Sequence, residues 1–66
     1  MMDIQQVKDL VEYINTIAYD DERAHSMEDA LHQDVLKAIA EGATNGIELA
    51  TEALKTKEIE FNRWCA

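Results

Sequence analysis

The chain has 66 residues, 47% of them hydrophobic, and its 14 acidic and 6 basic side chains give a formal net charge of -8. A chain of this length forms one domain at most and buries only about 60% of its unfolded surface. The acidic excess argues against direct nucleic-acid binding and against an anionic membrane surface, because phosphate is bound by lysine and arginine. We therefore expect a single helical domain spanning residues 1–66.

The first predicted element is an amphipathic helix over residues 4–19, with Asp3 as its N-cap. Its apolar residues recur at intervals of three and four, which is typical of a core-facing helix. This seam can pack on the chain's own second helix or join another chain. Its members are Ile4, Val7, Leu10, Val11, Ile14, Ile17 and Ala18.

The next segment, residues 20–26, breaks the apolar period and is predicted to be a connection. Ser26 is then expected to cap a second helix over residues 27–41, because Ser26 and Asp29 form a variant of the capping box. Gly42 is placed to end this helix. Its predicted apolar face consists of Met27, Ala30, Leu31, Val35, Ala38 and Ile39.

A third helix is predicted over residues 45–55, with Thr44 or Asn45 as N-cap and an apolar stripe formed by Ile47, Ala50, Ala53 and Leu54. The tail fits either a short helix over residues 57–64 or a strand with alternating polarity. We prefer the helix, because a single strand has no partner. In either form, Ile59, Phe61 and Trp64 are expected to fold back over the core. The predicted fold is all-α, a small three-helix bundle with a short C-terminal helix or docked tail.

Small domains usually need a disulfide, a metal or a partner subunit to be stable. Cys65 is the only cysteine, so no intrachain disulfide can form. We therefore expect a homo-oligomer. No apolar run reaches the roughly 18 residues of a membrane span, and the first residues lack the pattern of a signal peptide. These features predict a cytoplasmic protein.

Six carboxylates and both histidines of the chain lie between residues 20 and 34. Helix capping explains only some of them, so this cluster is the predicted binding site, with Trp64 as an aromatic contact. The alternative is a purely structural role, in which the acidic residues only begin a helix and Trp64 only fills the core. The candidate residues are Asp20, Asp21, Glu22, His25, Glu28, Asp29, His32 and Trp64.

This cluster fits two kinds of ligand. A carboxylate three residues before a histidine shares its helix face, as in di-iron bundles, so any metal would be bound by His25, Asp29 and His32. The carboxylates could instead bind a small nucleotide-like molecule. No enzyme is predicted and no cofactor, because the cluster lacks a nucleophile and a device to stabilise an anion.

The stretch AHSMEDALHQDVLKAIAEG and the later LKTKEIEFNRWCA resemble a pattern found in small helical proteins of bacteriophages and prophages. The resemblance covers about half of the chain, and its most distinctive elements are AHSxED and IxFxRWC. It implies an accessory protein in the cytoplasm of an infected bacterium, one that modulates or inhibits a host or defence component by binding it. It carries over no site residues.

The predicted function is therefore binding of a protein partner with a basic surface. The alternative is capture of a metal or a small nucleotide-like molecule by the cluster between Asp20 and Asp34.

Overall fold

The computed structural model describes residues 2–63, which form helices and no strands. The three α-helices are α1 (Ile4–Thr16), α2 (Asp21–Ala40) and α3 (Gly46–Ala53). A 3-10 helix, Leu54–Glu58, follows α3 directly, and residues 59–63 form a tail outside any helix. The predicted all-α, three-helix fold is confirmed. None of the helices in this range combines the length and apolar composition needed to cross a bilayer.

The first helix begins where the sequence predicts and ends earlier. The Asp3 side chain accepts a hydrogen bond from the Gln6 N–H at 2.8 Å, and the Gln6 side chain accepts one from the Asp3 N–H at 2.9 Å. This reciprocal capping box confirms Asp3 as N-cap. The helix ends at Thr16 rather than Tyr19, because the Ile17 N–H is shared between two carbonyls and the chain turns there.

The second helix begins five residues before its predicted cap. Asp20 is the N-cap, and its side chain accepts a hydrogen bond from the Arg23 N–H at 3.2 Å. The predicted connection over residues 20–26 is therefore wrong, and Ser26 is an exposed residue within the helix. The earlier start places Ala24 and Glu28 on the buried side of α2, in line with Leu31 and Val35.

The end of α2 follows the sequence prediction. Gly42 has a φ of +94°, a left-handed conformation that glycine adopts without a Cβ penalty. The Gly42 N–H donates to the Ile39 carbonyl, and the Ala43 N–H donates to the Ala38 carbonyl, both at 3.0 Å. These two bonds form a Schellman motif, so Gly42 is confirmed as the residue that ends the helix.

The core is formed by one side of each helix, and the α1 seam packs within the chain. The predicted stripe of α3 is partly wrong, because Ile47 is 82% exposed and Leu54 is 60% exposed, whereas Leu49 is buried. Apolar residues lie on several sides of this eight-residue helix, so packing against α1 and α2 decides which side is buried. The buried apolar residues are Val7, Ile14, Ile17, Ala24, Leu31, Val35, Leu49 and Ala53.

The predicted short helix over residues 57–64 is also wrong within the described range. The 3-10 helix ends at Glu58, and Ile59 has the extended dihedral angles φ -84° and ψ 129°. The tail (residues 59–63) nevertheless docks as expected, because Ile59 and Phe61 pack against the core. Trp64 and Cys65 lie outside the described residues.

The two possible starts of α2 can be separated by substitution. We expect Asp20→Ala to lower the free energy of unfolding by about 1 kcal/mol, because the Arg23 N–H loses its cap. Ser26→Ala should change it by less than about 0.5 kcal/mol, because Ser26 is exposed in a helix interior that favours alanine. Chemical denaturation measures both values. An equal or larger loss for Ser26→Ala would contradict a helix start at Asp21.

Candidate functional site

The predicted site lies on α2, and its side chains divide between two sides of that helix. One side faces the tail and the 3-10 helix, and the other faces solvent. Asp21, Glu28 and His32 lie on the first side, where they make contacts within the chain. Glu22 and Asp29 are exposed on the second side. The cluster is therefore two surfaces rather than one convergent site.

Glu28 forms the central contact of the inward side. Its side chain is only 2% exposed, and it accepts hydrogen bonds from Arg63 Nε at 2.8 Å and from Arg63 Nη2 at 3.0 Å. The Arg63 guanidinium also donates to the backbone carbonyls of Thr56 and Ile59. The central guanidinium carbon of Arg63, Cζ, lies 3.9 Å from the centre of the Phe61 ring. A bidentate pair of this kind fixes orientation as well as charge, so it holds the tail against α2.

The pair keeps Glu28 ionised. Burial alone would raise the pKa of this carboxyl group, but the hydrogen bonds and charge of Arg63 outweigh burial. Thr56 and the Lys57 ammonium, whose Nζ lies 3.8 Å from Glu28 Oε1, act in the same direction. Together they lower the pKa of Glu28 to about 2. Glu28 therefore neutralises Arg63 inside the protein and is not available to bind a partner.

Two further residues of the predicted site bind the same region of the chain. Asp21 accepts hydrogen bonds from the Asn62 backbone N–H at 3.1 Å and from the Asn62 side-chain amide at 3.0 Å. His32 Nε2 lies 3.1 Å from the Thr56 hydroxyl oxygen. The same nitrogen lies 3.3 Å from the Ala53 carbonyl oxygen, which can only accept a hydrogen bond, so a protonated Nε2 would donate toward both oxygens. Asp21 and His32 thus position the tail and the 3-10 helix.

The three predicted metal ligands do not converge on one point. His25 Nε2 lies 3.5 Å from Asp29 Oδ2, one helical turn away. His32, the third predicted ligand, is occupied at the 3-10 helix by Thr56. Among residues 2–63, no three His, Cys, Asp or Glu side chains come together as possible metal ligands. Binding of a nucleotide-like molecule stays a prediction.

The other predicted residues have separate positions. Asp20 caps α2 with its carboxylate. Glu22 and Asp29 lie two turns apart on α2 and are exposed, and we call this pair the exposed ridge. Trp64 lies outside the described residues, so the structure assigns it no position. Asp20 is exposed as well, but its carboxylate caps α2, which leaves the exposed ridge as the exposed carboxylates of the predicted site that have no capping role.

Sequence reasoning missed Arg63 as the partner of Glu28. The available signal was the position of Glu28 between Ala24 and Leu31, at the intervals of four and three that mark a buried stripe. That signal was lost because the helix was expected to begin at Ser26, which removed Ala24 from the pattern. Glu28 belongs to the segment AHSMED and Arg63 to the segment IEFNRWC, so this ion pair joins those two parts of the sequence.

Comparison of the chain with protein-family models, curated proteins and solved structures finds no match. The function is therefore argued from the chain's own charges, contacts and exposed surfaces.

Proposed function

We propose that this chain is a non-enzymatic accessory protein of the phage type that acts by binding a protein partner with a basic surface. In this proposal it works in the cytoplasm of an infected bacterium, where it modulates or inhibits a host or defence component. The exposed ridge on α2 is the surface that meets the partner.

The exposure of Glu22 and Asp29 is the observation that supports this proposal. Asp20 caps α2, and Asp21, Glu28 and His32 contact the tail or the 3-10 helix. Both carboxylates of the exposed ridge, in contrast, face solvent. The net charge of -8 adds a long-range attraction for a basic protein. Charges arranged in this way raise association rates and select partners more than they raise affinity.

The same proposal includes self-association. Leu36, Ile47 and Leu54 are 66%, 82% and 60% exposed. Leu36 lies on α2, Ile47 on α3 and Leu54 at the start of the 3-10 helix. In this proposal these three side chains form part of the contact surface between copies of the chain.

Charge reversal on the exposed ridge tests the proposed function. We expect the double variant Glu22→Lys with Asp29→Lys to slow association with the partner about tenfold at low salt, because the attractive field is removed. The difference should shrink as salt rises toward about 1 M, where the screening length is only about 3 Å. Immobilised protein exposed to a bacterial lysate recovers the partner, and surface plasmon resonance then measures its association rate.

The matched control is Glu12→Lys with Glu58→Lys. It changes the net charge of the protein by the same amount as the ridge variant, but the substitutions lie on α1 and the 3-10 helix. It should retain the partner, and circular dichroism should show unchanged helix content in both variants. The proposed function is wrong if every protein held by the wild type is held equally by the ridge variant, or if binding does not respond to salt. Asp20 and Asp21 are left intact because they stabilise the fold.

A further inference from the structure

An open groove runs between α1 and α2 outside the site described above. Its volume is about 940 Å³, and its lining comes from these two helices and the residues directly flanking them. Residues near the start of α1 meet residues near the end of α2, so the two helices run antiparallel. Neither α3 nor the 3-10 helix contributes to the lining, which consists of Met2, Gln6, Asp9, Leu10, Asp34, Lys37, Ala38 and Glu41.

The groove combines apolar and acidic groups. Met2, Leu10 and Ala38 are half-buried and pack against the core, so they supply its apolar part. Asp34 and Glu41 are exposed, and within residues 2–63 neither belongs to an ion pair. Asp9, which accepts a hydrogen bond from Gln5, adds a third carboxylate, against Lys37 as the one cation of the lining.

These properties identify the kind of segment that fits. An antiparallel helix pair with one open side can take a further helix in its groove, with apolar residues at helical spacing as anchors. The excess of carboxylates requires lysine or arginine on that helix. A second copy of this chain is disfavoured as the occupant of this groove, because none of its three α-helices carries more lysine and arginine than aspartate and glutamate.

We propose that the α1–α2 groove binds a basic amphipathic helix of the protein partner. Its apolar side lies on Met2, Leu10 and Ala38, and its lysine or arginine side chains reach Asp34 and Glu41. This proposal rests on the proposed function, because it assigns the form and location of the segment that the partner contributes. The exposed ridge then guides approach, and the groove holds the bound helix.

A synthetic peptide of about 14 residues, roughly 21 Å long as a helix, tests the groove without the natural partner. It contains only leucine and lysine, with leucine at helical spacing, and a scrambled peptide of the same composition is its control. NMR titration of the 15N-labelled full chain should show saturable shifts centred on Leu10 and Ala38. The wild-type protein should bind the amphipathic peptide at least about tenfold more tightly than the scrambled one.

The groove variant Asp34→Lys with Glu41→Lys should weaken binding of this peptide at least about tenfold. The ridge variant, with the same change in net charge, should weaken it less than about threefold. The proposal is overturned if both variants weaken binding equally, if the scrambled peptide binds equally well, or if the shifts centre on Leu36 and Ile47. The peptide titration tests the groove, and the lysate capture with the ridge variant tests the proposed function. The two proposals can therefore fail independently of each other.

Discussion

Replacing Arg63 with alanine is expected to lower the free energy of unfolding by about 3 kcal/mol or more, since it leaves an uncompensated charge on Glu28. Glu28 is 1% exposed and would lose hydrogen bonds of 2.8 and 3.0 Å. The Thr56 and Ile59 carbonyls would lose the same donor. A domain of this size has a total stability of about 3–10 kcal/mol, so the melting temperature should fall by more than about 12 °C.

Two comparisons separate loss of the ion pair from general damage to the tail. Glu60→Ala removes an exposed carboxylate from the same tail and should change stability by less than about 0.5 kcal/mol. The double variant Glu28→Met with Arg63→Leu removes both charges and should be more stable than Arg63→Ala, because no buried charge is left alone. Thermal unfolding followed by circular dichroism ranks the variants. A melting temperature for Arg63→Ala within about 2 °C of the wild type would show that the pair is unimportant.

Acid should remove the contribution of Glu28 over a defined pH range. Its pKa is lowered from 4.5 to about 2 in the folded protein, so the folded state binds its proton less readily than the unfolded state. The stabilisation is therefore fully present above pH 4.5 and is lost as the pH falls toward 2. With 1.36 kcal/mol for each pH unit of difference, this one group contributes about 3 kcal/mol. Urea denaturation at several pH values between 7 and 2 measures the loss.

The matched variants for this experiment are Glu28→Gln and Asp34→Asn. Glu28→Gln should be less stable at pH 7, yet its stability should depend less on pH below 4.5, because the titrating group is absent. Asp34→Asn removes an exposed carboxylate outside the ion pair and should keep the steep pH dependence of the wild type. If Glu28→Gln loses as much stability as the wild type between pH 4.5 and 2, another carboxylate must account for the effect.

The helices and two of their ends could be predicted because they depend on local chemistry. Asp3 caps α1 through Gln6, only three residues away, and Gly42 ends α2 through bonds that span a few residues. The start of α2 depends on more than local preference, because Asp20 and Ser26 are both good N-cap residues. Contacts of Asp21 and Glu28 with the tail are long-range, and they stabilise the longer helix.

The candidate site was predicted less well for the same reason. Glu28 and Arg63 are 35 residues apart, and hydrophobic periodicity carries no information about pairs at that distance. The surplus of polar residues between 20 and 34 is visible in the sequence, but Asp21, Glu28 and His32 make contacts within the folded chain. Exposure of Glu22 and Asp29 could not be deduced without knowing where α2 begins. Function therefore rests on the surface that remains once these internal contacts are assigned.

The long separation between Glu28 and Arg63 has a consequence for synthesis of the chain. Chains emerge from the ribosome with their N-terminal residues first, so all three α-helices are made before Arg63 appears. Until then Glu28 lacks the bidentate partner that compensates its burial in the folded protein. We therefore expect a chain that stalls before Arg63 to be less stable than the full chain, for the same reason as the Arg63→Ala variant.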